Sequence, residues 1–180
     1  MSNRNQSACG WQVRNGIATA EDFTMGTDPI VLQNNNKSKK GRSMSNYTEE
    51  QLDKIWKKGV VVDGLDSAVY RTDAAGGLMK RSLYGKEGNL GWEVDHIYSK
   101  EKLKGLGVPE NRWDDMVNLR PMNAKNNVAK GESYPKYKVA VQYNNDKNAP
   151  NNVEVDNKTK VVDKTVQNKI RENYSQWWSN

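Results

Sequence analysis

The chain contains a single cysteine, Cys9, and that count removes two of the usual supports of a small fold. No intramolecular disulfide can form, and no paired-cysteine knuckle can hold a structural zinc. Stability must therefore come from buried apolar residues, which are only 35% of the 180 in the chain. A chain of this length makes one domain with a real core, or two small ones. With a mean hydropathy of -0.98, the expected core is modest and surrounded by polar surface or unpacked chain.

The apolar residues are unevenly spread. Residues 1–46 hold few periodic apolar positions and close on Asn34-Asn35-Asn36-Lys37-Ser38-Lys39-Lys40-Gly41-Arg42, four positive charges with no negative one. This reads as a polar, flexible extension. It is a solvated linker in the plain reading and a basic arm on a polyanion in the functional one. Gly10-Trp11-Gln12-Val13 reads as a short anchoring segment. No apolar h-region follows Met1 and no run is long enough to span a bilayer, so a cytoplasmic location with no membrane association is the default expectation. The formal charge of +6 suits a partner rich in phosphate without requiring one.

Periodic structure is expected from Thr48. Thr48-Glu49-Glu50-Gln51 has the form of a capping box, with Leu52, Ile55 and Trp56 behind it at helical spacing and Gly59 ending the helix. Val60-Val61-Val62 reads as a short strand, and residues 70–85 as a glycine-punctuated hairpin or irregular extended segment. Arg71 and Asp73 read as structural, pairing with each other. Tyr137, Val139, Val141 and Tyr143 alternate as in a half-buried strand. Residues 153–155 and 160–162 are predicted to form a hairpin with each other across Asp156-Asn157-Lys158-Thr159. Val162, Val166, Ile170, Tyr174 and Trp178, at four-residue steps, predict an amphipathic helix, with Trp177-Trp178 as a hydrophobic clamp.

The central stretch carries the chemistry. In Gly91-Trp92-Glu93-Val94-Asp95-His96-Ile97 the apolar residues mark a short strand that ends in an Asp-His pair. A charged loop follows, in which Tyr98–Lys104 reads as a helical turn, then a second strand around 117–121. A helix from about 122 to 130 stops at Gly131. Alone, an Asp beside a His is more often an ion pair or a satisfied histidine than a catalytic pair, and a lone asparagine in an Asn-rich chain means little. Their joint placement with Asn118 and Asn127 gives weight to the set.

Asp95-His96, Asn118-Leu119-Arg120-Pro121 and Asn127-x-x-Lys130-Gly131 together resemble the signature of the HNH, or ββα-metal, nucleases. The third position carries Asn127 where the family usually has His. Arg71-x-Asp73, Tyr84-Gly85 and residues 91–97 are similar to stand-alone bacterial and phage HNH proteins, and the likeness covers about residues 54–131. The resemblance implies an α+β fold with a small ββα core, flanking strands and helices, and an N-terminal polar extension. It divides the chain into the extension 1–46, a nuclease domain 47–138, and a C-terminal hairpin-and-helix segment 139–180 packed on that domain.

It also implies a metal-dependent DNA endonuclease. Phosphodiester hydrolysis needs a base for the attacking water and neutralisation of charge on the phosphoryl oxygens. His96 is the only histidine and hence the only candidate for that base, its ordinary pKa leaving it largely neutral at working pH. By resemblance Asp95 and Asn127 hold a divalent cation, and Asn118 holds the loop and through it the imidazole. An all-oxygen pair favours magnesium, with manganese able to substitute and zinc a poor support. Arg120, Lys125 and Lys130 are the expected phosphate contacts. Glu93, on the strand parity of Asp95, either faces the site or makes an outward salt bridge. One such site cuts one strand, so a double-strand break requires a homodimer or two encounters. A phage-encoded chain would act in the host-cell cytoplasm. The rival readings are a non-catalytic nucleic-acid-binding or virion-associated protein, and a toxin nuclease domain.

Overall fold

The structure is a computed structural model that describes residues 47–178. The anchoring segment at Gly10–Val13 and the basic run ending at Arg42 lie outside the described residues. The fold is α+β, built from small antiparallel two-stranded sheets with helices packed around them.

Helix α1 (Glu49–Trp56) starts on the expected capping box. Thr48 Oγ1 accepts from the Gln51 amide at 3.2 Å, and Gln51 Oε1 accepts from the Thr48 amide at 2.9 Å, which satisfies two end donors reciprocally. Its face of Leu52, Ile55 and Trp56 is buried with Met79, Trp92 and Leu119 in one apolar cluster. The helix ends at Trp56, earlier than Gly59. The chain has already turned there, and Lys58 Nζ donates to the carbonyls of Met116 and Leu119. A Cβ at Gly59 would lie 3.1 Å from Arg71 Cβ, so a close approach accounts for this glycine.

The strand expected at 60–62 shrinks to one residue. Val60 exchanges backbone hydrogen bonds with Thr72, and the Asp63-Gly64 turn then leads the chain away, leaving Val60 and Val61 exposed. Strands β1 (Tyr70–Thr72) and β2 (Leu78–Lys80) form the expected hairpin. Asp73 organises its turn: Oδ1 accepts from the amides of Ala75 and Gly77, both at 2.8 Å. It does not pair with Arg71, which donates to the carbonyls of Ser67 and Gly59. Asp73 Oδ2 instead accepts from the Asn123 amide and from Asn126 Nδ2, tying the hairpin to the central unit. A side chain at Gly77 would run into Asn126.

That unit has the predicted strand–loop–strand–helix order. Strand β3 (Trp92–His96) pairs antiparallel with β4 (Leu119–Asn123), setting Asp95 opposite Arg120 and His96 opposite Leu119. Helix α2 (Lys100–Gly105) occupies the intervening loop, capped by Ser99. The second strand begins two residues later than predicted, because Met116–Asn118 forms a 3-10 turn. Helix α3 (Ala124–Lys130) is capped by Asn123, whose Oδ1 accepts from the Lys125 amide, and it stops at Gly131 with φ 52°, a left-handed stop that glycine adopts freely.

The C-terminal hairpin differs from expectation. Strands β5 (Lys136–Lys138) and β6 (Val141–Tyr143) pair with β8 (Thr159–Val161) and β7 (Asn152–Glu154) respectively. The halves are joined by hydrogen bonds from Val139 to Lys158 and from Val155 to Ala140, so 136–143 and 152–161 form one long interrupted ribbon. The turn lies at 144–151, where Asn144 and Asp146 accept local amides. Asp156-Asn157, with Asn157 at φ 52°, is a break within the ribbon. Tyr137, Val139, Val141 and Tyr143 are all buried, as their alternation predicted.

Helix α4 (Lys164–Asn173) is capped by Asp163 and buries Ile170, with Tyr174 just beyond its end. It packs into a second apolar cluster with Ile97, Leu103, Met122 and Tyr137, against which Trp177 and Trp178 also lie. All described residues fall in one compact unit. Among them, no helix is long and apolar enough to cross a membrane.

Candidate functional site

Strand β3 runs between the two apolar clusters, with Trp92 at its start in one and Ile97, the residue just after its end, in the other. The polar residues between them are thereby held on a rigid element. His96 closes the strand with its side chain 17% exposed. Its Nε2 lies 2.6 Å from Asp114 Oδ1. The same oxygen accepts from Lys100 Nζ at 3.2 Å and from Tyr47 Oη at 3.1 Å. Burial pushes Asp114 up, but the hydrogen bonds from His96 and Lys100 outweigh it and hold the carboxyl below its ordinary value. Burial lowers the His96 pKa, and the Asp114 bond offsets only part of that. His96 is therefore a neutral imidazole at neutral pH, hydrogen-bonded to an ionised carboxylate. Tyr47 is raised, by burial first and then by Asp114.

Asn118 is fully buried and brackets a single residue. Its Oδ1 accepts from the Tyr98 amide at 2.8 Å and its Nδ2 donates to the Tyr98 carbonyl at 2.9 Å. Its own carbonyl accepts from the Ile97 amide at 2.8 Å. The chain directly after His96 is thus clamped from the far side of the loop.

Asp95 occupies a different setting from His96. It is 3% exposed, with Oδ2 2.8 Å from Arg120 Nε and Oδ1 2.9 Å from Lys130 Nζ. Lys130 also donates to the His96 carbonyl at 2.9 Å, and the Arg120 guanidinium lies over the Tyr137 ring. Arg120 and Lys130 were expected on a face open to DNA. In the structure both are buried counter-ions of Asp95, because a buried carboxylate needs paired charge. Lys125 is partly exposed and pairs with Glu154 at 3.1 Å.

Asn127 meets Glu93 rather than Asp95. Its Nδ2 donates to Glu93 Oε2 at 2.8 Å across the junction of α3 and β3. Glu93, read as facing the site or making an outward salt bridge, forms no salt bridge among the described residues and takes this hydrogen bond from α3. The two donors proposed for a cation are therefore separated in their present contacts. Asp95 as arranged does not fit an open metal ligand, since each oxygen already faces a cation. Glu93 and Asn127 carry oxygen donors of the kind a hard cation takes, and among the described residues Glu93 forms no salt bridge; it is Nδ2 of Asn127, not its oxygen, that faces the carboxylate. Among the described residues no three His, Cys, Asp or Glu side chains gather as a metal-binding group. A cation here would rest on the Asn127 amide oxygen, one carboxylate and water.

Asp114 and Lys100 were not singled out in the sequence. The only sign was a pair of adjacent carboxylates, Asp114-Asp115, shortly before Asn118. The two diverge: Asp115 binds Arg112 at 2.8 Å and Asn173 at 2.9 Å, while Asp114 turns to His96. Compared with protein-family models, with curated proteins and with solved structures, the chain matches none.

Proposed function

We propose that this chain is a metal-dependent endonuclease of the HNH type, hydrolysing phosphodiester bonds in DNA with His96 as general base. The observation that supports this best is the setting of His96. It is a neutral, half-buried imidazole held at the end of β3 by a carboxylate and followed directly by the loop that Asn118 clamps, on the strand that also carries Glu93, which Asn127 meets. Nδ1 has no hydrogen-bond partner among the described residues. The ring keeps contact with solvent, its side chain being 17% exposed. A water at Nδ1 can therefore lose its proton to the ring as it attacks phosphorus, a contribution of about 10²–10⁴-fold.

Asn127 and Glu93 would hold the divalent cation. Bound there, magnesium or manganese supplies charge neutralisation for the phosphoryl and leaving oxygens. Asp95 stabilises the unit from within by anchoring Arg120 on β4 and Lys130 on α3. Lys125 and Lys100, with side chains 41% and 47% exposed, are the cations offered to DNA phosphates; such contacts are sequence-independent and weaken with salt. A second reading, a non-catalytic nucleic-acid-binding protein of the same architecture, is favoured by one observation: Asp95 is already neutralised by two cations.

Incubating supercoiled plasmid with wild type and with His96→Ala, in magnesium, in zinc and in chelator, separates the two. Magnesium-dependent nicking that falls about 10²–10⁴-fold in the variant is expected. Absence of metal-dependent nicking by wild type, or equal nicking by both proteins, overturns the enzyme reading.

A further inference from the structure

We infer that Asp114 is the positioning residue of His96, accepting a hydrogen bond from Nε2–H and so fixing Nδ1 as the unprotonated nitrogen that faces the reaction. The inference rests on the nuclease reading for its consequence, but its geometry stands apart from it.

Three donors converge on one oxygen of Asp114: His96 Nε2 at 2.6 Å, Tyr47 Oη at 3.1 Å and Lys100 Nζ at 3.2 Å. The ammonium of Lys100 can only donate, so the oxygen it meets is an acceptor. An ionised carboxylate has no proton to give. The short contact with the ring can form only if Nε2 carries the hydrogen, and in the neutral imidazole the lone pair then lies on Nδ1. Lys100 and Tyr47 hold the carboxylate from two other elements, the start of α2 and the segment before α1. The orientation of the ring is thus set by a loop, a helix and the N-terminal edge of the described chain together.

The other charged groups near the ring do not compete for Nε2. Asp95 faces Arg120 and Lys130, and Lys130 reaches His96 only at its carbonyl. Asp114 has 51% of its side chain exposed, and exposed ion pairs contribute little to stability. A fold-stabilising role therefore does not account for three donors meeting on one oxygen. Orientation of a reacting imidazole does, as in other carboxylate–histidine pairs where the carboxylate selects the tautomer.

His96 is the only imidazole in the chain, so long-range proton–nitrogen NMR of the ¹⁵N-labelled protein reports this ring alone. Spectra recorded in chelator above about pH 8, where histidine is neutral, are expected to show the Nε2–H form in wild type. In Asp114→Ala they should move toward the mixed tautomers of a free imidazole. The same variant is expected to keep its urea midpoint and its KM for plasmid while kcat falls about 10- to 100-fold, the usual cost of losing an orienting partner. An Nδ1–H ring in wild type, or a nitrogen spectrum unchanged by Asp114→Ala, overturns the inference. Wild type that fails to nick DNA would remove the nuclease reading while the tautomer is still decided by the spectra.

Discussion

Replacing Asp95 with asparagine distinguishes a buried counter-ion from an open metal ligand. Asp95 is 3% exposed and each of its oxygens meets one cation, Arg120 at 2.8 Å and Lys130 at 2.9 Å. Hydrogen bonds to charged groups contribute about 1.5–3 kcal/mol each, so the two together stand at roughly 3–6 kcal/mol. Asparagine keeps a neutral acceptor for one partner and turns an amide NH₂ toward the other. Lys130 retains the carbonyls of His96 and Gly131, which softens the loss. The expected destabilisation is about 3–5 kcal/mol, the range for breaking a buried ion pair from one side. With an m-value near 2 kcal/mol per molar, the urea midpoint in chelator should fall by about 2 M. Adding Lys130→Met should recover part of this, because one of the two stranded cations is then gone. An open ligand predicts the opposite for the single variant, since removing its charge costs the metal-free fold almost nothing. A midpoint for Asp95→Asn within about 0.5 M of wild type, or about 1 kcal/mol, would refute the counter-ion assignment.

Asn118→Ala removes both bonds to Tyr98 and leaves its amide and carbonyl without partners; a loss of about 2–4 kcal/mol by urea denaturation is expected, each stranded group costing about 1–3 kcal/mol. Nicking should fall with it, as the loop behind His96 loosens. The pH dependence of stability carries a sign set by His96: burial lowers its folded pKa below the ordinary 6.5, so as pH drops below that value the unfolded chain takes up the proton first. Stability is therefore lost between pH 6.5 and the folded value. The urea midpoint of wild type should fall more steeply over that window than that of His96→Gln, and parallel curves would remove His96 as the titrating group.

Several elements were legible because their signals are local. Thr48 and Gln51 form the capping box that three-residue spacing announces, and the four-residue steps from Val162 to Trp178 mark the face that α4 buries. Gly131 stops α3 where the pattern predicts. The C-terminal ribbon was misread for a reason in the same residues. Asp156-Asn157 has the composition of a hairpin turn and also of a break within a strand, and the left-handed backbone of Asn157 serves both. Which one forms depends on the opposite strand. The buried alternation of Tyr137, Val139, Val141 and Tyr143 recruits the whole of 152–161, and a short hairpin within that segment would leave this face unpaired.

Charge allocation was less legible, since it is decided between elements. Strand parity places Glu93 and Asp95 on one side, but it does not say which of them the first turn of α3 and which the last turn will meet. Asn127 and Lys130 are separated by nearly one helical turn, so α3 along β3 sets Asn127 against Glu93 and Lys130 against Asp95. Register then adds Arg120 to Asp95 from across the sheet. With Asp95 occupied by both cations, the carboxylate that meets His96 comes from elsewhere, the loop residue Asp114. The burial of Asp95 and the exposure of Asp114 are thus two parts of one arrangement: an inner carboxylate holds β3, β4 and α3 together, and an outer one, 18 residues along the chain from His96, is left free to orient the ring.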